Sequence, residues 1–364
     1  MLKILFVIPS LEYGGAAKQL ILLATHLPRD RFLPTVCVLS TAGPWLEGLR
    51  KAGVACEILR WTRAIDPQAL LRLRKSIQIK NPNVIHAWTG PALRASWAAS
   101  LGTGCPVIAS DCLRSERRPS LASIFQSWIL KRAKKVVASN SAQVRASTNI
   151  GVKPQNLLTI PPAVDVSNCF LHQSPSLRQK LGISEKARLL GCIGPLTMPK
   201  GNREAIWALD ILHYLYDDIH LILVGEGPDR HRLERFARAT EATRRVHFLG
   251  PQPDVASLLA ELDLVWIPAL ADVGTNVLLE TMAAGKPFVA TRWPGLSEFI
   301  PKEGQECLVP PGDKAALARQ AHRLLSHPER SRRLGEMGRQ HVRDSYSVAA
   351  LSNAFADAYA AVAR

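Results

Sequence analysis

Three segments of this 364-residue chain carry residue types suited to a phosphorylated ligand. The first is Gly14-Gly15-Ala16-Ala17, just ahead of a helical pattern. Paired glycines let a backbone approach a ligand closely, and a helix start offers amides to an anion. A plain tight turn explains the pair about as well. The second is Gly194-Pro195-Leu196-Thr197-Met198-Pro199-Lys200-Gly201, which places Lys200 in a loop before a helix. An ammonium there suits a phosphate; a loop lysine is otherwise a solvated surface group. The third is DVGTNVLLETMAAGKP, residues 272–287. Its carboxylates, Asp272 and Glu280, flank a helix start that Thr275 or Asn276 can cap. Such a start can hold a phosphate and the hydroxyls of an attached sugar together. The alternative is an ordinary capped core helix with Glu280 on its surface.

Strands alternating with helices must position these residues. In the first half, residues 3–9, 35–39, 55–59, 84–86, 107–110 and 136–139 read as strands. Residues 16–26, 69–79 and 93–101 have helical spacing. This alternation argues for a parallel sheet covered by helices. Residues 161–182 are rich in Pro, Ser, Asn and Gln and read as a linker. Alternation then restarts with strands at 189–193, 221–224, 246–249, 264–267, 288–290 and 307–309. Helices are expected at 202–215, 230–240 and 277–284, and an Ala-rich helix at 347–363. Ligands of open α/β sheets bind beyond the carboxyl ends of the strands, so residues just after each strand matter most. His86 ends a strand and is expected to face a cleft, or to hold a loop by a hydrogen bond.

Composition narrows the classes. Hydrophobic residues are 47% and charged residues 21%. That balance excludes wholesale disorder. No apolar run approaches the ~18 residues that span a membrane. The N-terminal apolar stretch is short, contains a proline and reads as a buried strand rather than a signal peptide, so a cytoplasmic protein is expected. Seven scattered cysteines without a CxxC pair argue against a disulfide framework and structural zinc. The net charge is +16, unevenly spread. Residues 1–165 hold 22 Lys and Arg against 8 Asp and Glu, net +14; the rest hold 24 against 22, net +2. An anionic partner of the first half follows from this asymmetry, against a merely solubilising surface. Nucleic acid is not expected, because no helix-turn-helix, RNP or zinc pattern is present. Residues 121–130 place Leu121, Ile124, Phe125 and Trp128 on one helical face. Arg114, Arg117 and Arg118 precede them, and Lys131, Arg132, Lys134 and Lys135 follow. A core-packed helix with basic ends is the favoured reading, and docking on anionic lipid the other.

The order and wording of these segments resemble the family 4 glycosyltransferases. The resemblance runs through ILFVIPSLEYGGA, VVASNSAQVR, IPPAVD, LVGEGPDRHRLERFA, VHFLGPQPDVASLLAELDLVWIPA, the 272–287 segment and CLVPPGDKAALA. It implies an α/β protein of GT-B architecture, two Rossmann-like domains facing each other across a cleft. Residues 1–165, joined by the C-terminal helix 347–364, would form the acceptor domain. Residues 166–346 would form the nucleotide-sugar donor domain. The implied activity is sugar transfer from a UDP-, GDP- or ADP-sugar with retention at the anomeric carbon, and without a metal or other cofactor. Gly14, Gly15, Gly194, Lys200, Gly274, Thr275, Asn276 and Glu280 match donor-binding positions, and residues 250–255 match the loop bordering the base. Lys200, Asp272 and Glu280 are the catalytic candidates; His86 and Arg114 lie on the acceptor side. The basic first half makes the expected acceptor an anionic or lipid-linked glycan, with a role in cell-envelope glycan synthesis at the inner membrane face.

Several positions depart from the family pattern. Pro195 stands where an arginine is usual, Asp272 replaces a glutamate, and Val273 replaces a glycine. Ala17-Lys18 replaces Glu-Arg, and Asp111-Cys112-Leu113-Arg114 stands where many members have a histidine. Arg292-Trp293-Pro294-Gly295 replaces an Asp-x-Gly-Gly loop. Either the site is rewired, with Arg292 or Arg114 supplying the missing charge, or the protein is a binding or partner subunit. A nucleotide-sugar epimerase is a third reading.

Overall fold

A computed structural model describes residues 1–62, 66–112, 121–166 and 177–363. The chain divides into two units, residues 1–163 with 348–364, and residues 164–347.

The first unit is built on a seven-stranded parallel sheet. Its strands are β1 (Leu2–Ile8), β2 (Phe32–Val38), β3 (Ala55–Ile58), β4 (Val84–Trp88), β5 (Val107–Ser110), β6 (Lys135–Ala138) and β7 (Leu157–Thr159), in the order β3-β2-β1-β4-β5-β6-β7. The near-continuous apolar runs of β1 and β4 are buried on both faces, as parallel strands between helix layers require. The helices are α1 (Gly15–His26), α2 (Leu46–Lys51), α3 (Pro67–Lys80), α4 (Gly90–Ser100), α5 (Leu121–Leu130) and α6 (Ser141–Asn149). The C-terminal helix, Val348–Val362, belongs to this unit and buries Leu351, Phe355 and Tyr359 in the core beside β1 and α1. β7 was not expected from the sequence; its three residues carry no alternation to detect.

The second unit has a six-stranded parallel sheet, order β10-β9-β8-β11-β12-β13. Its strands are β8 (Arg188–Ile193), β9 (Ile219–Val224), β10 (Val246–Gly250), β11 (Leu264–Ile267), β12 (Phe288–Thr291) and β13 (Leu308–Val309). The helices are α7 (Leu177–Leu181), α8 (Asn202–Leu212), α9 (Arg230–Arg238), α10 (Val255–Glu261), α11 (Thr275–Ala283), α12 (Pro294–Ser297), α13 (Lys314–Leu325) and α14 (Pro328–Ser345). The span expected to be a linker therefore holds a helix: Leu177 is buried, and its amide donates to the Glu261 carboxylate. Helix α14 escaped the sequence because only Leu334, Gly335, Gly338 and Val342 of its 18 residues are buried. Its glycines let it approach Gly285 and Met282, where a Cβ on Gly335 would lie 2.0 Å from the Gly285 carbonyl oxygen.

Candidate functional site

In each sheet the strand order reverses once, between β1 and β4 in the first unit and between β8 and β11 in the second. At such a switch point neighbouring loops diverge and leave a crevice at the carboxyl ends of the strands. The second unit places most of the singled-out residues there.

Gly194 follows β8 with φ 133°, a conformation that favours glycine. Its amide donates to the Val224 carbonyl at 2.9 Å. The turn Gly225-Glu226-Gly227 buttresses it: a Cβ on Gly225 would lie 2.1 Å from the Gly194 oxygen, and one on Gly227 would lie 2.4 Å from the Leu196 oxygen. These two glycines are thus explained by packing. The chain then turns through Met198–Lys200 into α8, with Gly201 (φ 70°) as the N-cap residue. Lys200 folds back over Gly194, its Nζ 3.7 Å from where a Gly194 Cβ would sit. Pro195 is exposed beside it.

The loop after β11 meets this turn directly. The Leu270 amide donates to the Pro199 carbonyl at 2.9 Å, and a Cβ on Gly201 would lie 1.7 Å from the Pro268 oxygen. The same loop is tied to the end of β12 through Thr291 Oγ1 and Trp293 Nε1, both donating to the Ala269 carbonyl. Gly274 (φ 112°) is the N-cap residue of α11, and no side chain caps this start. Thr275 and Asn276 thus occupy the first turn of α11, where capping by either was expected. The helix buries Leu278, Leu279, Thr281 and Met282. Asn276 and Glu280 are half-buried and lie one turn apart on its other side. The loop that bonds the Lys200 turn through Leu270 thus leads into the positive end of the α11 dipole, and Glu280 follows further along the same helix.

Asp272 has a structural engagement. Its Oδ2 accepts the Gly295 amide at 2.8 Å, so the carboxylate ties the loop after β11 to the start of α12. Arg292, a candidate replacement cation, donates instead to the Leu308 carbonyl on β13 at 3.2 Å. The other candidate, Arg114, lies outside the described residues. Among the described residues no three His, Cys, Asp or Glu side chains gather as metal ligands.

One residue here was missed by sequence reasoning. Asn202, the first residue of α8, is 6% exposed, and its Nδ2 has no hydrogen-bond partner. It lines a pocket of about 530 Å³ with Thr197, Met198, Arg203, Asp229 and Phe236. Its position after Lys200-Gly201 was visible; its burial was not.

In the first unit, Gly14 and Gly15 stand between β1 and α1 as expected. Gly14 is extended (φ 176°), and a Cβ there would meet nothing closer than the Glu12 oxygen at 4.0 Å. Neither conformation nor packing within this unit demands glycine at 14. Across the switch point, Thr89 holds φ 77° and ψ 160°, a region almost confined to glycine. Its Oγ1 is buried with no hydrogen-bond partner. Threonine does not advertise such a backbone, so the sequence offered no signal.

His86 corrects an expectation. It does not face a cleft: it is fully buried in β4. Nδ1 is 2.7 Å from the Tyr359 hydroxyl on the C-terminal helix, and Nε2 is 2.7 Å from Ser110 Oγ on β5. Burial lowers its pKa to about 3, so the ring is neutral. It pins two strands to the last helix, so its partners are regular elements rather than the loop it was expected to hold.

Residues 13–168 match the family Glycosyltransferase Family 4, and residues 173–341 match Glycosyl transferases group 1. The N-acetyl-alpha-D-glucosaminyl L-malate synthase of Bacillus anthracis is 30% identical over 246 residues, 67% of this chain and 62% of that protein. The 2-deoxystreptamine glucosyltransferase of Streptomyces kanamyceticus is 27% identical over 63% of this chain and 60% of that protein. The alignments thus span less than two thirds of either relative. Among solved structures, Anabaena HepE in complex with UDP and glucose superposes with a TM-score of 0.88 at 23% identity, covering 99% of this chain and 100% of that one. WaaG, a glycosyltransferase involved in lipopolysaccharide biosynthesis, gives 0.78 at 18% identity over 98% and 99%. With family matches over both halves and this fold, the chain belongs to the family 4 glycosyltransferases and has the GT-B fold.

Proposed function

We propose that the protein transfers a sugar from a nucleotide-diphosphate donor to an acceptor hydroxyl, with retention at the anomeric carbon. The observation that carries this is the Lys200 ammonium folded over Gly194, in a turn bonded to the loop that leads into α11, whose start no side chain caps. Cation and helix dipole together suit a diphosphate. Glu280, on the same helix, accepts the hydroxyls of the nucleotide ribose. Asn276, one turn away, meets the distal phosphate and its sugar. Asp272 acts by holding the loop after β11 through Gly295.

In the reaction, the bond between the anomeric carbon and the diphosphate oxygen breaks, and negative charge grows on that oxygen. Lys200 and the α11 amides stabilise it in place. The acceptor oxygen bonds to the same face of the sugar, and its proton passes to the departing phosphate oxygen. The products are a glycoside and the nucleoside diphosphate. Lys200 and the α11 amides carry the charge without a metal. UDP-sugars are the first donors to test, since structural neighbours were solved with UDP and with UDP-glucose. The net +14 of residues 1–165 supports an anionic or lipid-linked glycan as acceptor, used at a membrane face in envelope glycan synthesis.

Calorimetric titration with UDP, GDP, ADP and their common sugars, with and without EDTA, tests this reading. One nucleotide should bind in both conditions, and Lys200→Ala with Glu280→Gln should abolish that binding. Where turnover is measured, Lys200→Ala alone should cost about 10²–10³ in kcat, the scale of one preorganised donor to developing charge. Absence of binding by every nucleotide would sink the proposal.

A further inference from the structure

The amphipathic helix α5 is not packed into the core in the way the sequence favours. Only Ile129 and Leu130 are buried. Leu121, Ile124, Phe125 and Trp128 are 88, 59, 43 and 38% exposed, and their spacing makes one stripe. The other exposed large apolar residues are spread over both units, and among the described residues they form no comparable stripe within one helix. Surface stripes of this kind mark contact sites.

The stripe is organised. Phe125 and Trp128 stack at 5.8 Å, and half-buried Trp97 of α4 meets them edge-on at 5.7 and 5.0 Å. The Arg132 guanidinium lies 3.7 Å above the Trp128 ring. Lys131, Arg132 and Lys134 are exposed just beyond the helix. Exposed aromatics beside a basic cluster match the depth profile of a bilayer surface: rings at the headgroup level, cations at the phosphates.

From this juxtaposition we infer that α5 and the 131–134 segment form a docking surface for an anionic phospholipid bilayer. The occupant is an anionic membrane because the charge around the stripe is basic, and because residues 1–165 carry net +14. No helix among the described residues is long and apolar enough to cross a membrane, so the contact lies in the interface plane. Nucleotide binding and turnover play no part in it, so it stands or falls apart from the transferase reading.

Cosedimentation with vesicles tests the surface, using phosphatidylglycerol mixed with phosphatidylcholine against phosphatidylcholine alone. Binding should require phosphatidylglycerol and weaken between about 0.05 and about 0.5 M salt, as the Debye length shrinks. Lys131→Gln with Lys134→Gln should weaken it about 25-fold, roughly five-fold per basic residue near the surface. Phe125→Ser with Trp128→Ser should weaken it at least about ten-fold. Tyr214→Ser with Leu215→Ser, an exposed pair in the second unit, should bind like the parent chain. Hydrogen exchange should show residues 121–134 protected by vesicles. The inference is overturned if the parent chain ignores phosphatidylglycerol vesicles at low salt. It is equally overturned if the second-unit variant loses as much binding as the aromatic one. A dimer in light scattering that the aromatic variant dissolves, with no vesicle binding, would assign the face to a second copy instead.

Discussion

Replacing His86 by glutamine should make the first unit less sensitive to acid, and the size of the effect follows from its surroundings. The imidazole is fully buried, both ring nitrogens are engaged, and its pKa is lowered from an ordinary 6.5 to about 3. Below pH 6.5 the unfolded chain gains a proton at this residue that the folded chain refuses. The unfolded state then binds more protons, so stability falls as pH drops. The window runs from about 6.5 down to about 3. At about pH 5 the separation from the unfolded value is roughly 1.5 pH units, which costs about 2 kcal/mol at about 1.36 kcal/mol per unit. At about pH 7.5 the cost is close to zero. Hydrogen exchange read on peptides covering β4 and β5, corrected for intrinsic rates, gives the opening free energy of this unit alone. That choice matters because two units need not unfold together. The parent chain should lose about 2 kcal/mol more than His86→Gln between those pH values. Tyr359→Phe should cost about 1–3 kcal/mol at neutral pH by stranding a ring nitrogen. Equal pH slopes in the parent and His86→Gln would refute the buried neutral imidazole.

Three further outcomes follow from the loops. Gly14→Ala should leave thermal stability within about 0.5 kcal/mol, since its backbone is extended and the nearest atom is 4.0 Å away, while nucleotide-sugar affinity drops in calorimetry. Unchanged affinity would remove Gly14 from the donor site. Gly201→Ala should destabilise the second unit by more than the roughly 1–2 kcal/mol of a left-handed residue. The excess arises because its Cβ would also lie 1.7 Å from the Pro268 oxygen; a parent-like melting curve would contradict that packing. Asp272→Ala should cost about 1.5–3 kcal/mol by removing the charged acceptor of the Gly295 amide, with Asp272→Asn closer to the parent. Loss of turnover with unchanged melting in Asp272→Ala would mean that this carboxylate acts on the donor instead.

Two parallel sheets were legible from the chain alone, because strands buried on both faces read as apolar runs and crossover helices as a helical period. So were Gly14, Lys200 and Glu280 as candidates, since loop position relative to a strand or helix is a local property. Residues whose meaning depends on distant neighbours were not. His86 carries no sequence mark of the Tyr359 hydroxyl 273 positions away. Asp272 reads as a carboxylate beside a helix start, yet its bond to Gly295 depends on where β12 ends. Gly225 and Gly227 are packing contacts that no local pattern announces, because another loop's carbonyls fill the space a Cβ would need. The stripe on α5 shows the same limit from outside. Periodicity determines that a helix has an apolar face, but only the neighbouring elements decide whether that face meets a core or is left to solvent.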